Sequence, residues 1–226
     1  KSRIRTYLTD CYMLKIKCFI FNPVAENTYI VWDDESLECA VIDAGCYSTE
    51  EKKELQEYIE RENLKVKYLL ATHLHFDHVF GNTFVSDTFG VGLSAHHDDE
   101  FMLDRFSERT ALFGLQTADT PAPVSRHLTE KDILSVGRYD FSIIHVPGHS
   151  PGSLVFYCAK AGIAFSGDVL FQNSIGRTDL WGGNYEVLVS SIQKKLFILP
   201  DSTVIYPGHG PSTTIGHEKT HNPYLK

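Results

Sequence analysis

The chain alternates short apolar runs with polar turns, a pattern that predicts β-strands joined by tight connections. In the first half, strands are predicted at residues 14–21, 27–32, 39–42 and 66–71. In the second half, they are predicted at residues 141–146, 153–157, 163–166 and 203–206. The run at 66–71 shows little alternation, which is typical of a strand buried on both faces.

Two stretches instead have the spacing of amphipathic helices. Ser48 stands three residues before Glu51 at the start of the first stretch, which is the arrangement of a capping box. Asn184 is a candidate N-cap for the second, whose inward stripe consists of Leu188, Ile192 and Leu196. Residues 97–127 predict a further helix and then a loop with two prolines, which we expect to form a flap beside a site. Strands and helices together indicate a mixed α/β fold class of the α+β type.

The stretch ATHLHFDHVFGN directly follows the strand predicted at 66–71. It places four potential metal ligands within six residues: His73, His75, Asp77 and His78. In α/β proteins, functional residues collect at the carboxyl ends of strands. Imidazole and carboxylate donors suit zinc, and also iron, cobalt or manganese. The cluster therefore predicts a metal site.

Three later segments each place one further donor in a turn rich in Gly or Pro after a strand-like run. The segments PGHSPGS, SGDVLF and YPGHGP carry His149, Asp168 and His209. Glycine lets such turns approach closely, so we expect the three donors to reach the same rim as the first cluster. Seven donors exceed the needs of one tetrahedral ion and suit two. Asp168 is the candidate for a bridging carboxylate because it lies between the two isolated histidines in the sequence.

Taken in order, THLHFDH, PGHSPGS, SGDVLF and YPGHGP resemble the motifs of the metallo-β-lactamase superfamily. The resemblance extends over about residues 14–225 and implies an αββα sandwich with metal ions at one edge. Within the superfamily, SIGRTDL and EKTHNPYL resemble the small glyoxalase II-like hydrolases. Those enzymes consist of the catalytic domain without the helical C-terminal domain with which larger glyoxalase II enzymes hold glutathione.

The resemblance also implies a role for each donor. One metal would be held by His73, His75 and His149, a second by Asp77, His78 and His209, and Asp168 would bridge the two. The implied pair of divalent ions is zinc, with iron or manganese as alternatives. Asp43, at the end of the strand predicted at 39–42, resembles an aspartate of the family that orients a metal ligand, and an ordinary turn aspartate is the alternative.

The reaction implied by the resemblance is hydrolysis of a thioester, such as a hydroxyacylglutathione. A hydroxide bridging the two metals would attack the carbonyl carbon, with Asp77 and Asp168 as the catalytic carboxylates, and the thiolate would leave without a proton. The expected substrate is a small anionic thioester. Arg177 in GRTD is the candidate for binding a substrate carboxylate, and an ion pair with Asp179 is the alternative.

A persulfide dioxygenase of the same superfamily is the main alternative, since its motifs also resemble parts of this sequence, GRTD included. It would use one iron held by His73, His149 and Asp168, a facial triad that leaves positions open for oxygen. These residues are a subset of the dinuclear set, so the sequence leaves both interpretations open. The match of SIGRTDL and YPGHGPSTTIGHE to the glyoxalase II-like pattern favours hydrolysis.

Composition argues against several classes of partner and location. The formal net charge of −8 and the lack of any Lys/Arg block argue against nucleic acid. The sequence has no apolar run that could span a membrane and no signal-peptide pattern, so we expect a cytoplasmic protein. Residues 1–12 precede Met13, a natural chain start, so we expect a leader or vector-derived segment there and a single hydrolase domain over residues 13–226. The sequence leaves open whether that domain is a monomer or a homodimer.

Overall fold

The structure, a computed structural model, describes residues 13–104, 106–116 and 120–226. The predicted leader at residues 1–12 lies outside these ranges. None of the helices within them combines the length and the apolar composition needed to cross a membrane.

The first half of the chain forms a six-stranded sheet whose strands lie side by side in sequence order. The strands are β1 (Leu14–Phe21), β2 (Glu26–Asp33), β3 (Glu38–Ile42), β4 (Lys65–Leu70), β5 (Leu93–Ala95) and β6 (Val124–His127). The first three are antiparallel, whereas β3 to β6 run parallel to one another. The carboxyl ends of β3, β4 and β5 therefore meet at one edge of this sheet.

The second half forms another six-stranded sheet. The strands of this half are β7 (Ile133–Val136), β8 (Tyr139–His145), β9 (Leu154–Cys158), β10 (Ile163–Gly167), β11 (Leu170–Phe171), β12 (Ser174–Ile175), β13 (Val204–Pro207) and β14 (Thr213–Thr214). The sheet order is β14-β13-β10-β9-β8-β7, and β11 pairs with β12 as a separate hairpin. Because β10 and β13 are parallel, the turns that follow them leave the sheet side by side.

Five α-helices accompany the sheets in the described residues. They are α1 (Thr49–Arg61), α2 (Asn82–Phe89), α3 (Phe106–Ala111), α4 (Tyr185–Ser191) and α5 (Ile215–His221). The predicted capping box at the start of α1 is confirmed, since the Ser48 hydroxyl accepts a hydrogen bond from Glu51 N at 3.1 Å and the Glu51 carboxylate accepts one from Ser48 N at 3.1 Å. Asn184 caps α4 as predicted, and that helix continues as a π-helical turn, Ile192–Leu196.

Three apolar layers separate four layers of secondary structure. Side chains on alternate positions of a strand face opposite layers, and β3 shows this directly. Val41 packs with Leu55 and Ile59 of α1, whereas Ile42 packs between the two sheets against residues such as Phe156. On the far side of the second sheet, the predicted stripe Leu188, Ile192 and Leu196 is fully buried. The predicted αββα sandwich is therefore confirmed.

The strand predicted at 66–71 differs from the expectation that both of its faces are buried. The first half of β4 is partly exposed, and Lys67 forms an ion pair with Glu38 at 2.8 Å. The short β5 pairs with Leu69 and Leu70, so burial is confined to that end of β4. The buried end is the one that leads into the histidine cluster.

Residues 97–127 also differ from the prediction of one helix and a loop. A 3₁₀ helix, His97–Met102, precedes the short α3, and the segment ends in strand β6.

The pattern did not predict β5, β6, β7, α2 or α5. These elements have three to eight residues, so they hold too few turns or alternations to show a period.

Candidate metal centre

The seven predicted donors lie where strands of both sheets end. His73 to His78 follow β4, His149 follows β8, Asp168 follows β10, and His209 follows β13. Backbone hydrogen bonds join the two sheets at this edge, from Leu154 N to Thr72 O and from Asn27 N to Gly208 O, both at 2.7 Å. The edges of two packed sheets thus bring together residues that are up to 136 positions apart, as from His73 to His209.

Side chains of β2 hold the turn that carries His209. The Asn27 amide donates to Pro207 O at 3.0 Å and to Gly210 O at 2.9 Å, so it spans the turn on both sides of His209. The Tyr29 hydroxyl also donates to Pro207 O, at 2.7 Å. These bonds fix the backbone of the turn, and the His209 ring projects from a rigid base.

Three imidazole nitrogens converge on one point. His149 Nε2 lies 2.9 Å from His75 Nδ1 and 3.1 Å from His73 Nε2. His149 Nδ1 donates to the backbone oxygen of Arg177 at 2.8 Å. His73 Nδ1 lies 3.1 Å from the Thr72 hydroxyl, whose own hydrogen is donated to Asp43. In both rings the hydrogen is therefore on Nδ1, and the two Nε2 atoms face each other with lone pairs.

Two lone pairs at this separation repel each other unless a cation lies between them. Zinc binds imidazole nitrogen at about 2.0–2.1 Å, which places tetrahedrally arranged nitrogens about 3.3 Å apart. The observed separations of 2.9 and 3.1 Å are close to this value. The donor set formed by His73, His75 and His149 therefore fits a divalent transition metal.

The protonation of these rings also suits a metal. Burial, followed by the neighbouring histidines, lowers the pKa of His73 well below its ordinary value. Burial and then the charge of His149 lower the pKa of His75 to about 3. Burial lowers the pKa of His149 as well. The rings are therefore neutral at pH 7, which is the form in which imidazole binds metals.

A second group of donors surrounds the carboxylate of Asp77. Its Oδ2 lies 3.1 Å from His209 Nε2 and 3.6 Å from His78 Nε2. His209 Nδ1 contacts the backbone oxygen of Ala25 at 3.2 Å, and His78 Nδ1 contacts Asp43 at 3.1 Å, so each ring directs Nε2 at the carboxylate. One carboxylate oxygen and two imidazole nitrogens thus form a second potential metal-binding set.

Asp168 lies between the two groups. Its Oδ2 is 3.7 Å from His149 Nε2 and 3.6 Å from His209 Nε2, and its Oδ1 is 3.4 Å from His78 Nε2. Asp168 Oδ1 and His78 Nε2 are both buried without a hydrogen-bond partner among the described residues. Buried polar atoms of this kind need a partner such as a bound ion or a water molecule. The carboxylate reaches donors of both groups, as a bridging ligand must.

The charges in the second group favour a cation. Burial alone would lower the pKa of His78, but the charges of Asp168 and Asp77 raise it well above its ordinary value. Burial alone would raise the pKa of Asp168, but the charge of His78 and then those of His149 and His209 hold this pKa below its usual range. The two aspartates are therefore ionised at neutral pH and attract positive charge to this position.

Two carboxylates lie behind His78. Asp43 accepts hydrogen bonds from Thr72 N and the Thr72 hydroxyl, both at 2.7 Å, as well as from His78. Glu26 is completely buried, accepts from the Thr28 hydroxyl at 2.8 Å, and places Oε1 3.9 Å from His78 Nδ1. Asp43 thus contacts one candidate ligand directly and holds the strand end that carries the others.

Asp99 connects the two loops that carry the three-histidine group. It is completely buried, and its Oδ2 accepts from Leu74 N at 3.3 Å and from the Ser150 hydroxyl at 2.7 Å. Its Oδ1 accepts from Gly152 N at 2.6 Å. Leu74 lies between His73 and His75, and Ser150 directly follows His149. A single carboxylate therefore fixes the relative position of both loops.

The donors form the floor of a cavity of about 470 Å³. Five of them line it: His75, Asp77, His149, Asp168 and His209. Its walls are mainly apolar and include Val24, Phe76, Phe113, Phe171, Ile175 and Leu180. Phe113 comes from the segment predicted to form a flap, of which residues 117–119 lie outside the described ranges. The position and size of the cavity suit a small-molecule substrate.

Arg177 lines the same cavity, and its guanidinium forms the ion pair with Asp179 that was the alternative to binding a substrate carboxylate. It donates to the two carboxylate oxygens of Asp179 at 2.7 and 2.8 Å. Both side chains are more than half exposed, at 55% and 68%. The ion pair is compatible with substrate binding, because a guanidinium carries five N–H donors and Asp179 uses two of them.

His96 does not reach the candidate centre. Its ring stacks on that of His145 with centroids 4.3 Å apart, and its Nδ1 accepts a hydrogen bond from Asp98 N as the cap of the 3₁₀ helix His97–Met102. Among the described residues that line the cavity, His75, His149 and His209 are the histidines.

Sequence patterns do not identify Glu26 and Asp99 as parts of the site. Glu26 lies in a segment without a ligand-like motif, and HHDDE at 96–100 has the appearance of an exposed charged turn. A buried carboxylate needs hydrogen-bond donors. Asp99 reaches its donors only after distant segments of the chain have packed together, so the sequence gives no direct signal for its role. Glu26 is two residues from Thr28 and within a strand that otherwise looks like ordinary core.

Gly208 imposes a tight local constraint on the centre. A Cβ atom at this position would overlap Asp168 Oδ1 and lie 2.6 Å from His78 Cε1. We expect Gly208→Ala to displace these ligands and to lower metal affinity and activity about 10- to 100-fold, a loss similar to that for disturbed ligand orientation elsewhere. Metal analysis and turnover would be measured together. Gly210→Asn is the matched control, because Gly210 has open space and a φ of +73°, a conformation that Asn tolerates. Equal loss in both variants would contradict the prediction.

Comparison with known proteins places these observations in a family. The model of the metallo-β-lactamase superfamily matches residues 21–209. Hydroxyacylglutathione hydrolase GloC of Haemophilus influenzae is 41% identical over 201 residues, which cover 88% of this chain and 92% of that protein. The B3 metallo-β-lactamase BLEG-1 has a similar structure, with a TM-score of 0.82 and 38% identity, covering 94% of this chain and 100% of that one. TTHA1623, solved in a di-iron-bound form, also has a TM-score of 0.82, with 33% identity over 92% of this chain and 100% of that one.

Proposed function

Because the chain belongs to the metallo-β-lactamase superfamily, we propose that it is a dinuclear metal-dependent hydrolase that cleaves thioesters. The observation that carries the proposal is the pair of donor groups with Asp168 between them. In the first group, imidazole nitrogens with free lone pairs face each other, as in the 3.1 Å contact of His73 Nε2 with His149 Nε2. In the second group, the carboxylate of Asp77 lies between the rings of His78 and His209. His73, His75 and His149 would hold one ion, Asp77, His78 and His209 the other, and Asp168 both.

Two divalent ions at these positions would activate a water molecule and polarise the substrate carbonyl. The chain's own residues supply the rest. Asp77 is part of the cavity floor, so its carboxylate can accept a hydrogen bond from the attacking water and orient it. Asp43 and Asp99 keep the imidazoles in place through the contacts described above. A thiolate is stable at neutral pH, so the leaving group needs no acid.

The charge of the centre agrees with an anionic substrate. Two divalent ions bring four positive charges, and Asp77 and Asp168 bring two negative ones, so the floor of the cavity is positive although the chain has a net charge of −8. GloC is named a hydroxyacylglutathione hydrolase, and its identity of 41% supports thioesters as the substrate class. Zinc is the proposed metal, and the di-iron form of TTHA1623 makes iron the alternative.

Metal analysis combined with a substrate panel tests the proposal. We expect about two ions per chain in protein purified without chelators, and hydrolysis of S-lactoylglutathione that is lost with a chelator and restored by zinc or iron. The panel includes a carboxylic ester and a chromogenic β-lactam, because BLEG-1 is a β-lactamase. Faster turnover of the lactam than of any thioester would contradict the proposed substrate class. One iron per chain, with oxygen uptake on glutathione persulfide and no hydrolysis, would favour the dioxygenase instead.

Arg177 is the proposed partner of a substrate carboxylate. We expect Arg177→Ala to raise KM about tenfold for glutathione thioesters with little change in kcat, because a charge-assisted hydrogen bond at an exposed site is lost. A thioester of N-acetylcysteamine, which lacks carboxylates, should be unaffected. Asp179→Ala is the matched control, since it removes the ion pair and leaves the guanidinium in place. If both variants raise KM equally, the ion pair is structural and Arg177 does not bind substrate.

A further inference from the structure

The cavity above the candidate metal centre has a larger apolar surface than a small hydroxyacyl group can contact. Phe76 and Phe113 form one part of the wall, with ring centroids 4.7 Å apart. Phe171 and Ile175, from the β11–β12 hairpin, form another part together with Leu180. These side chains come from distant parts of the sequence, yet they meet around the same floor of metal ligands.

Polar groups other than the metal ligands are few along this wall. Ser174 and Arg177 are the polar residues that complete the lining described by the structure. The Ser174 hydroxyl already donates to Ile175 O at 3.4 Å, and Arg177 lies at an exposed position beside Asp179. The wall therefore offers little to a small acyl group that carries a hydroxyl, because such a group would lose its water without gaining fixed partners.

The mouth of the cavity leaves apolar surface in contact with water. Val24 is 41% exposed and Phe113 is 40% exposed, although both line the cavity. Covering such surface is favourable in proportion to its area. A substrate that covers this apolar surface gains binding free energy, whereas a three-carbon acyl group is too short to cover it.

We infer that the preferred substrates are thioesters whose acyl group is apolar and carries several methylenes or an aromatic ring. This inference rests on the proposed thioesterase function and specifies the acyl side of its substrate. The carbonyl lies over the metal ligands, the acyl group packs against the apolar wall with Phe113 at its outer end, and the thiol portion extends toward solvent. Phe113 is thus a specificity-determining residue, whereas the metal ligands determine whether the reaction occurs at all.

A series of glutathione thioesters with one thiol and different acyl groups tests the inference. The probes are acetyl-, lactoyl-, butyryl- and hexanoylglutathione, with kcat/KM measured for each. We expect kcat/KM to rise by up to about fourfold per methylene, as transfer of a methylene out of water implies, and lactoylglutathione to be slower than butyrylglutathione. Phe113→Ala should lower the ratio of hexanoyl to acetyl kcat/KM about tenfold. Phe113→Leu should retain most of this ratio, because leucine remains apolar.

Ile198→Ala is the control, since Ile198 is 76% exposed and is not part of the described cavity lining. This variant should keep the wild-type ratio. A wild-type preference for lactoylglutathione over both longer acyl groups would overturn the inference and leave the thioesterase function standing. An unchanged hexanoyl-to-acetyl ratio in Phe113→Ala would also overturn it, since the acyl group then lies elsewhere. Absence of turnover on every thioester would overturn the proposed function and this inference together.

Discussion

Replacing Asp168 by alanine is expected to abolish both the retention of metal and the turnover of thioesters. The carboxylate of Asp168 lies between the two groups of donors, at 3.7 Å from His149 and 3.4 Å from His78. In the proposed dinuclear centre, its loss would remove one ligand from each ion and one negative charge that offsets the charge of the two ions. Because metal ions in such centres supply several kcal/mol of transition-state stabilisation, a decrease in kcat/KM of about 1000-fold or more is expected.

The fold should survive this change. Asp168 Oδ1 has no hydrogen-bond partner among the described residues, so its removal leaves no backbone donor unpaired. Circular dichroism and thermal unfolding of metal-free proteins would check this, and Asp168→Asn, which keeps the shape of the side chain, provides a second variant. Asp87→Ala is the matched control, because Asp87 is an exposed aspartate of α2. Two ions per chain and near-normal turnover in Asp168→Ala would show that the centre is assigned wrongly.

The parts of the site that the sequence can predict are those that depend on local geometry. Each of His149, Asp168 and His209 stands in a Gly- or Pro-rich turn directly after a strand, and such a turn leaves a side chain few directions to take. His73 to His78 are close in sequence, so any compact fold keeps them near one another. The strand ends then meet because two sheets pack face to face, and the resemblance to the superfamily supplied that arrangement.

The parts that could not be predicted depend on contacts between distant segments. Asp99 is 25 residues from Leu74 and 51 from Ser150, and no pattern in the sequence links these positions. The strands β5 and β6 have three and four residues, and β6 is largely exposed, so neither shows a hydrophobic period. The half-exposed β4 has the same explanation, since its burial depends on how far its neighbour β5 extends. Tertiary context decides these features, whereas local patterns decide the capping box of α1 and the stripe of α4.

Asp99→Ala is expected to have a large effect on stability, although Asp99 is not one of the seven donors. The carboxylate accepts hydrogen bonds from two backbone N–H groups and one hydroxyl, and alanine would leave the two N–H groups buried without this acceptor, whereas the Ser150 hydroxyl also contacts Ser153 Oγ at 2.7 Å. Each unpaired N–H group costs about 1–3 kcal/mol, so the free energy of unfolding should fall by about 2 kcal/mol or more.

The same substitution should weaken the metal centre without touching a ligand. Leu74 is adjacent in the chain to His73 and His75, and Ser150 is adjacent to His149. Loss of Asp99, their common hydrogen-bond acceptor, should therefore let the two loops that carry these histidines move apart. We expect metal affinity to decrease about 10- to 100-fold, the usual effect of removing a group that orients a ligand. Titration of the metal-free protein with zinc, followed by activity, would measure it, and saturating zinc should restore most of the turnover.

Asp98→Ala separates this role from a general effect of the 3₁₀ helix His97–Met102. Asp98 is the adjacent aspartate, but its side chain is 42% exposed and pairs with His97 on the surface. Its replacement should change the free energy of unfolding by about 0.5 kcal/mol or less and leave zinc affinity unchanged. The stability and the zinc affinity of Asp99→Asn should lie between those of Asp99→Ala and the wild type, because the amide oxygen can accept from one donor while the NH₂ group faces another donor. If Asp99→Ala binds zinc as tightly as wild type while unfolding more easily, the residue supports the fold alone, and the two ligand loops are held in place by the packing of the sheets.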